Sequence, residues 1–117
     1  MENTGSDKPV SELRERLRIH NLPSVVYNEI RAFAKKHGVE RVILFGSRAR
    51  GTHTERSDID IAVWGGDHDG FYWDIRENVS SLLMFDIVDM DKGVKEELMK
   101  EIERDGVVLY EKDREFH

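Results

Sequence analysis

The chain has 117 residues, which is enough for one domain with a core of its own but not for two. Its 18 Lys and Arg against 24 Asp and Glu give a net charge of −6, which argues against an extended nucleic-acid surface. Cysteine is absent, so disulfide frameworks and thiolate metal sites are excluded. No apolar run reaches the roughly 18 residues of a membrane span, and the polar N-terminus lacks the layout of a secretory signal. We therefore expect a cytoplasmic protein that does not enter a membrane.

Two helices are predicted within the first 38 residues. Residues 1–8 are polar and are expected to form a disordered tail, which leaves residues 9–117 as a single domain. A first helix is predicted from Pro9, and a second is predicted to follow Ser24, a good N-cap residue, and to stop at Gly38. The apolar stripes that predict these helices are Val10, Leu13 and Leu17 in the first, and Val26, Ile30, Phe33 and Ala34 in the second.

After Gly38 the pattern changes to short apolar blocks that predict a sheet. Residues 42–45, 61–64, 82–88 and 107–110 have the length and side chains of buried strands. Residues 65–70 form a predicted turn, and helices are predicted over residues 71–81 and over the apolar stripe at 94–102. Asp91 is the expected cap of the latter helix, and Asp105-Gly106 its expected end. The fold class is therefore α/β or α+β, a small mixed β-sheet flanked by helices.

The most informative stretch follows the first predicted strand and reads Gly46-Ser47-Arg48-Ala49-Arg50-Gly51. Gly46 permits a sharp turn and the close approach of a ligand. Ser47 and the amides after it lie where a short helix would begin, which is a natural cradle for an anion, and Arg48 and Arg50 add positive charge. No Gly-Lys-Ser/Thr follows at the spacing of a Walker P-loop, so a phosphate here must be held by another device.

A pair of carboxylates in Ser57-Asp58-Ile59-Asp60 supplies that device. Residues i and i+2 of a strand point to the same face, so Asp58 and Asp60 converge while Ile59 turns toward the core. Two adjacent anions repel each other, and this is tolerable if a divalent cation lies between them. Mg²⁺ fits, because it takes one or two carboxylates and completes its shell with water and phosphate oxygens. Two such ions, about 4 Å apart, would steady the attacking and leaving oxygens of an in-line displacement.

A third carboxylate is expected on a neighbouring strand. Asp86, in Phe85-Asp86-Ile87-Val88, is an acid within an apolar block, and a buried Asp usually has a metal or hydrogen-bond donors beside it. Asp89 lies at odd spacing from Asp86, so it should face the other way and cap the end of the strand.

These motifs, in this order, resemble the minimal nucleotidyltransferase family of the polymerase-β superfamily, over residues 39–110. The resemblance implies a short mixed sheet flanked by helices. It also implies transfer of a nucleoside monophosphate, often AMP from ATP, with release of pyrophosphate. Proteins of this kind are often antitoxins that adenylylate a helical HEPN-type partner, so the resemblance implies a toxin–antitoxin pair.

The resemblance also implies a role for each residue of the motifs. Asp58 and Asp60 bind Mg²⁺, with two ions expected. Asp86 completes the metal site and helps to deprotonate the acceptor hydroxyl. The residues implied to bind the nucleotide are Gly46 and Ser47 at the triphosphate, Arg48 at the family's usual position, and Arg50 in an auxiliary role.

The short chain supports a protein partner independently. After Asp86 only one helix and one strand remain, so the metal site of a lone domain would stay open to water. Two alternatives remain: a non-catalytic nucleotide-binding module that neutralises its partner by contact, and a transferase acting on a small molecule such as an antibiotic. The sequence leaves open which NTP is preferred and whether the chain forms a homo-oligomer.

Other residues favour ordinary structural readings. Asp67-His68-Asp69-Gly70 lacks the glycine position and the closing glutamate of a calcium loop, and the histidines show no ligand spacing. One helix cannot bury all three aromatics of Phe71-Tyr72-Trp73 against one sheet. Those not buried are candidates for a partner surface or a base-stacking wall.

Overall fold

The computed structural model describes residues 21–112, which form a four-stranded mixed sheet with helices on both faces. The helices are α1 (Ser24–Lys36), α2 (Ser47–Arg50), α3 (His68–Asn78) and α4 (Glu96–Asp105), with a 3₁₀ turn at Met90–Lys92. The strands are β1 (Arg41–Phe45), β2 (Ile59–Trp64), β3 (Phe85–Asp89) and β4 (Val107–Glu111). The predicted fold class is thereby confirmed. The predicted tail at 1–8 and the helix from Pro9 lie outside the described residues.

The order of strands across the sheet is β3-β2-β1-β4, so β2 and β1 are central. Strand β1 pairs antiparallel with β2 and β4, whereas β2 and β3 run parallel. A parallel pair needs a crossover connection, and α3 provides it. Since β2 and β3 run in the same direction, both strands begin at the same edge of the sheet.

Strand β2 shows how the sheet separates its two cores. Ile59, Ile61 and Val63 are buried in one apolar cluster, which also contains the buried stripes of α1 and α3. Ala62 points the other way and packs in a second cluster with Phe45 and with Ile102 of α4. Asp60 lies two residues before Ala62 in β2, so both side chains are on the same face of the sheet, the face that α4 covers.

Helix α1 has the predicted apolar stripe, but it begins differently. Val26, Ile30 and Ala34 are fully buried, as predicted. Ser24 is the first helical residue rather than the N-cap; Pro23 occupies the cap position, and no side chain caps this end. Proline is suited to a helix start because its ring already fixes φ and it has no N–H to satisfy.

Several predicted boundaries and one predicted cap are wrong. Helix α3 starts at His68, inside the predicted turn, because the Asp67 side chain accepts a hydrogen bond from Gly70 N and caps the helix. Strand β3 starts at Phe85, so residues 82–84 of the apolar block precede it. Asp91 does not cap α4; its carboxylate accepts a hydrogen bond from Gly65 N instead.

Asp89 and the end of α4 are as predicted. Asp89 is the last residue of β3, and its side chain accepts a hydrogen bond from Asp91 N at the following 3₁₀ turn. Helix α4 ends at Asp105, before Gly106. Within residues 21–112, no helix combines the length and the apolar character that crossing a bilayer requires.

A buried carboxylate that the sequence analysis missed joins α1 to α3. Asp74 is 5% exposed and hydrogen-bonds His37 Nε2 at 2.6 Å, Asn78 Nδ2 at 2.6 Å and Lys36 Nζ at 3.1 Å. These bonds, with His37 first, lower the pKa of Asp74 to about 2. The contacts explain why an acid is tolerated on the packed side of α3.

Candidate active site

The three predicted acids, hereafter the acid cluster (Asp58, Asp60 and Asp86), lie at the edge of the sheet where β2 and β3 begin. Asp60 and Asp86 are paired neighbours across the parallel ladder, and Asp58 comes directly before β2. The structure therefore brings together residues that lie up to 28 positions apart in the sequence. Asp86 is exposed rather than buried, because β3 is an edge strand.

Burial and neighbouring negative charges both act on Asp60. Burial raises the pKa of Asp60 to about 6, with further contributions from the negative charges of Asp86, Asp58 and Glu101. Arg50 acts in the opposite direction and is the weakest of the named causes. The ionised form of Asp60 is thus disfavoured at its position in a central strand, and a positive charge near it would stabilise that form.

A divalent cation fits the chemistry of this site. Oxygen atoms, carboxylates among them, are the ligands that Mg²⁺ prefers, and a cation would stabilise the ionised form of Asp60, whose pKa is raised first by burial and then by the neighbouring acids. Among the described residues, no group of three or more His, Asp or Glu side chains is already arranged to hold a metal ion. The acid cluster therefore offers the donors for Mg²⁺ without a finished ligand cage.

Gly46 lies against the acid cluster and could not be replaced without disturbing it. Its φ of 76° is in the region that favours glycine, and a Cβ atom built on it would collide with Oδ2 of Asp60. Gly46 is followed directly by α2, with Ser47 as its first residue, and its carbonyl accepts hydrogen bonds from Ala49 N and Arg50 N. The predicted cradle is therefore adjacent to the predicted metal ligands.

Arg48 points away from the predicted nucleotide site and into the protein. It is 4% exposed, and its guanidinium donates to the carbonyl oxygens of Asn21 at 2.7 Å, Ser57 at 3.0 Å, Glu55 at 3.1 Å and Thr54 at 3.4 Å. Burial lowers the pKa of Arg48. This differs from the expected contact with the nucleotide, because the donors of Arg48 are used to hold the loop that leads to Asp58.

Arg50, the other arginine of the motif, is held by α4. Its Nη1 lies 3.5 Å from Oε2 of Glu101 and 3.8 Å from Oδ2 of Asp105. The sequence analysis did not single out Glu101, since an acid on a helix is usually an ordinary solvated charge. The one available signal is that Glu101 directly precedes Ile102, which the apolar stripe places against the sheet.

The comparisons with known proteins agree with this geometry. The family model described as "Polymerase beta, Nucleotidyltransferase" matches residues 28–115. This chain belongs to the polymerase-β nucleotidyltransferase family. The match includes both glycine–serine and aspartate motifs, so the resemblance stated from those residues is confirmed at the level of the family.

A curated nucleotidyltransferase relative comes from Methanocaldococcus jannaschii and is named "Putative protein adenylyltransferase MJ1379". It is 43% identical over 56 residues, which are 48% of this chain and 47% of that protein. The chain therefore matches about half the length of this curated relative.

Solved structures of the nucleotidyltransferase fold superpose on most of the chain. A chain in the crystal structure of a toxin–antitoxin complex with AMP-PNP gives a TM-score of 0.58 at 26% identity, over 77% of this chain and 78% of that one. A chain in the complex of the tri-AMPylated Shewanella oneidensis HEPN toxin with MNT antitoxin gives 0.54 at 22% identity, over 81% and 79% of the two chains. These likenesses confirm the predicted architecture.

Proposed function

We propose that this chain is a Mg²⁺-dependent nucleotidyltransferase that moves AMP from ATP to a hydroxyl group of a HEPN-type partner protein. The observation that carries the proposal is the pairing of Asp60 with Asp86 across β2 and β3, beside Asp58 and against Gly46. Membership of the family and the likeness to a toxin–antitoxin complex with AMP-PNP support it.

In this proposal the acid cluster binds two Mg²⁺ ions, and Gly46 and Ser47 hold the triphosphate. The ions supply charge neutralisation at the phosphate oxygens, which is the main requirement of phosphoryl transfer. Arg48 acts indirectly, since its hydrogen bonds to the carbonyls of Thr54, Glu55 and Ser57 fix the loop before Asp58. Arg50 is the remaining candidate for a direct contact with the nucleotide.

The reaction exchanges one bond at the α-phosphorus of ATP. The acceptor oxygen bonds to that phosphorus, the bond from phosphorus to the bridging oxygen breaks, and pyrophosphate leaves. Asp86 is the proposed base for the acceptor's proton, because it is exposed on the edge strand while Asp60 is partly covered. An acceptor can therefore reach Asp86 from the open side of β3.

Two exposed apolar side chains in the segment that leads into β3 support a protein acceptor. Leu82 is fully exposed and Met84 is 61% exposed. The carbonyl of Met84 accepts a hydrogen bond from Ile59 N, which places Met84 next to the start of β2 and so next to Asp58. Exposed apolar side chains at the edge of a polar site are typical of a surface that another protein covers.

The proposal is tested by incubating the chain with Mg²⁺, labelled ATP and its HEPN-type partner, followed by mass spectrometry of both proteins. We expect AMP on the partner and no transfer by the Asp60→Asn variant. Asp69→Asn, which removes an exposed carboxylate from α3, is the matched control and should transfer normally. A partner that is neutralised without carrying AMP would instead favour the non-catalytic module, and transfer to a small molecule alone would favour the antibiotic-type enzyme.

The acceptor surface is tested separately. Replacing Leu82 and Met84 by serine should reduce transfer to the partner about ten-fold or more if the partner covers both, because truncating an apolar side chain at the centre of an interface costs more than about 1 kcal/mol. ATP binding should be unaffected. Val25→Ser is the control, because Val25 is 50% exposed on α1, on the opposite face of the sheet. Equal loss of transfer in both variants would contradict this location.

A further inference from the structure

Helix α4 reaches the candidate active site through an ion pair as well as through its apolar side. Glu101 and Asp105 are one helical turn apart, and both face Nη1 of Arg50, at 3.5 Å and 3.8 Å. Asp105 also holds Arg104, whose Nη2 is 2.8 Å from the same Oδ2 atom. Arg50 is therefore connected to α4 by two long contacts between charged groups, at the limit of hydrogen-bonding distance, which another anion can replace.

The apolar packing of α4 fixes the position of Glu101. Ile102, the next residue, is buried against Phe45 and Ala62 on the face of the sheet that carries Asp60. Glu101 consequently lies close enough for its negative charge to act on Asp60. This is a placement by the core of the protein, so it does not depend on a flexible surface loop.

The balance of charge at this place is strongly negative. The charged groups that act on Asp60 are the acids Asp58, Asp86 and Glu101 and a single cation, Arg50, among the described residues. A nucleoside triphosphate brings further negative charge to the same place. The phosphates of the nucleotide and the carboxylates of α4 are therefore placed to compete for Arg50.

We propose that Glu101, assisted by Asp105, competes with the triphosphate for Arg50 and so sets the affinity of the enzyme for nucleotide. Glu101 is thus a positioning residue that acts through Arg50. The inference rests on the proposed function, because it takes Arg50 as a contact of the bound triphosphate. When the nucleotide binds, Arg50 exchanges the long contacts with the carboxylates of α4 for phosphate oxygens, which a guanidinium can bind through two parallel hydrogen bonds.

The test is a set of dissociation constants for Mg·AMP-PNP, measured by calorimetry. Glu101→Gln should tighten binding roughly two- to five-fold, the range that a partly exposed ion pair is worth. Arg50→Gln should weaken binding. Glu103→Gln is the matched control, because it removes one carboxylate from an exposed position of the same helix, and it should leave the constant unchanged.

The double variant Arg50→Gln/Glu101→Gln identifies the route of the effect. If Glu101 acts through Arg50, then Glu101→Gln changes the affinity only while Arg50 is present. An equal change in both backgrounds would mean that Glu101 acts by general repulsion, and no change or weaker binding in Glu101→Gln would also overturn the inference. If the wild-type protein does not bind Mg·AMP-PNP, both the proposed function and the inference about Glu101 are wrong.

Discussion

The cost of holding Asp60 in the acid cluster can be measured as stability. The pKa of Asp60 is raised from 3.8 to about 6, so its ionisation disfavours the folded state. Such a shift corresponds to roughly 3 kcal/mol at most, and because Asp60 is partly exposed, solvent screening reduces it to about 1–2 kcal/mol. The described residues give Asp60 no side-chain hydrogen bond that Asn would lose. We therefore predict that Asp60→Asn stabilises the metal-free protein while abolishing transfer.

The sign of the pH dependence follows from the direction of the shift. An acid with a raised pKa keeps its proton longer in the folded state, so the folded state loses stability as pH rises from about 4 through about 6. Asn at this position cannot ionise. The stability advantage of the variant should consequently be small near pH 4, reach about half of its full value at pH 5 and be nearly complete at pH 7.

The assay is thermal unfolding of both proteins in EDTA, at intervals from pH 4 to pH 8. For a domain of this size, about 1–2 kcal/mol corresponds to a rise of the midpoint by roughly 3–10 °C. Adding Mg²⁺ should then raise the midpoint of the wild-type protein more than that of the variant, because the cation binds the ionised acids. The reasoning would be refuted if the variant unfolded at a lower temperature than the wild type at pH 7. It would also be refuted if the difference between the two midpoints did not change with pH.

Three further predictions concern residues around the site. Gly46→Ala should abolish nucleotide binding because its Cβ displaces the Asp60 carboxylate, whereas Gly51→Ala, with a similar φ of 81° but nothing within 4 Å, should cost only about 1–2 kcal/mol of backbone strain. Arg48→Met should lower the unfolding free energy by about 2–4 kcal/mol in urea titrations, since four carbonyls lose their donor. Asp74→Asn should lower the thermal midpoint at pH 7 and lose this effect as pH falls toward 2, because the folded pKa of Asp74 is below its unfolded value.

The sequence predicts the core well where a residue's periodicity alone decides its burial. Val26, Ile30 and Ala34 are spaced for one face of a helix, and all three are fully buried. The i, i+2 spacing of Asp58 and Asp60 likewise predicts their convergence. The pairing of Asp60 with Asp86 needed more: the motif suggests neighbouring strands, but only the crossover through α3 makes β2 and β3 adjacent and parallel.

Burial was mispredicted where it depends on which element lies outside a strand. Leu82 and Met84 belong to an apolar block, yet both are exposed because they precede an edge strand. Arg48 shows the opposite error, since a cation in a phosphate-binding motif is expected to face the ligand. Its burial depends on the carbonyl groups of Asn21, Thr54, Glu55 and Ser57, and neither their number nor their direction is visible in the sequence.

The two arginines of the motif therefore have different roles. Arg48 satisfies backbone carbonyls and has little left to offer a ligand, so it contributes geometry by fixing the loop before Asp58. Within residues 21–112, Arg50 makes long ion pairs to Glu101 and Asp105 of α4, so in the proposed mechanism its charge can be exchanged for that of the nucleotide. Arg48 and Arg50 are only two positions apart in the sequence. Their surroundings differ because the short helix α2 directs Arg48 into the protein and Arg50 toward α4. Under our proposal, the affinity for nucleotide is set from α4, outside the motif that identifies the family.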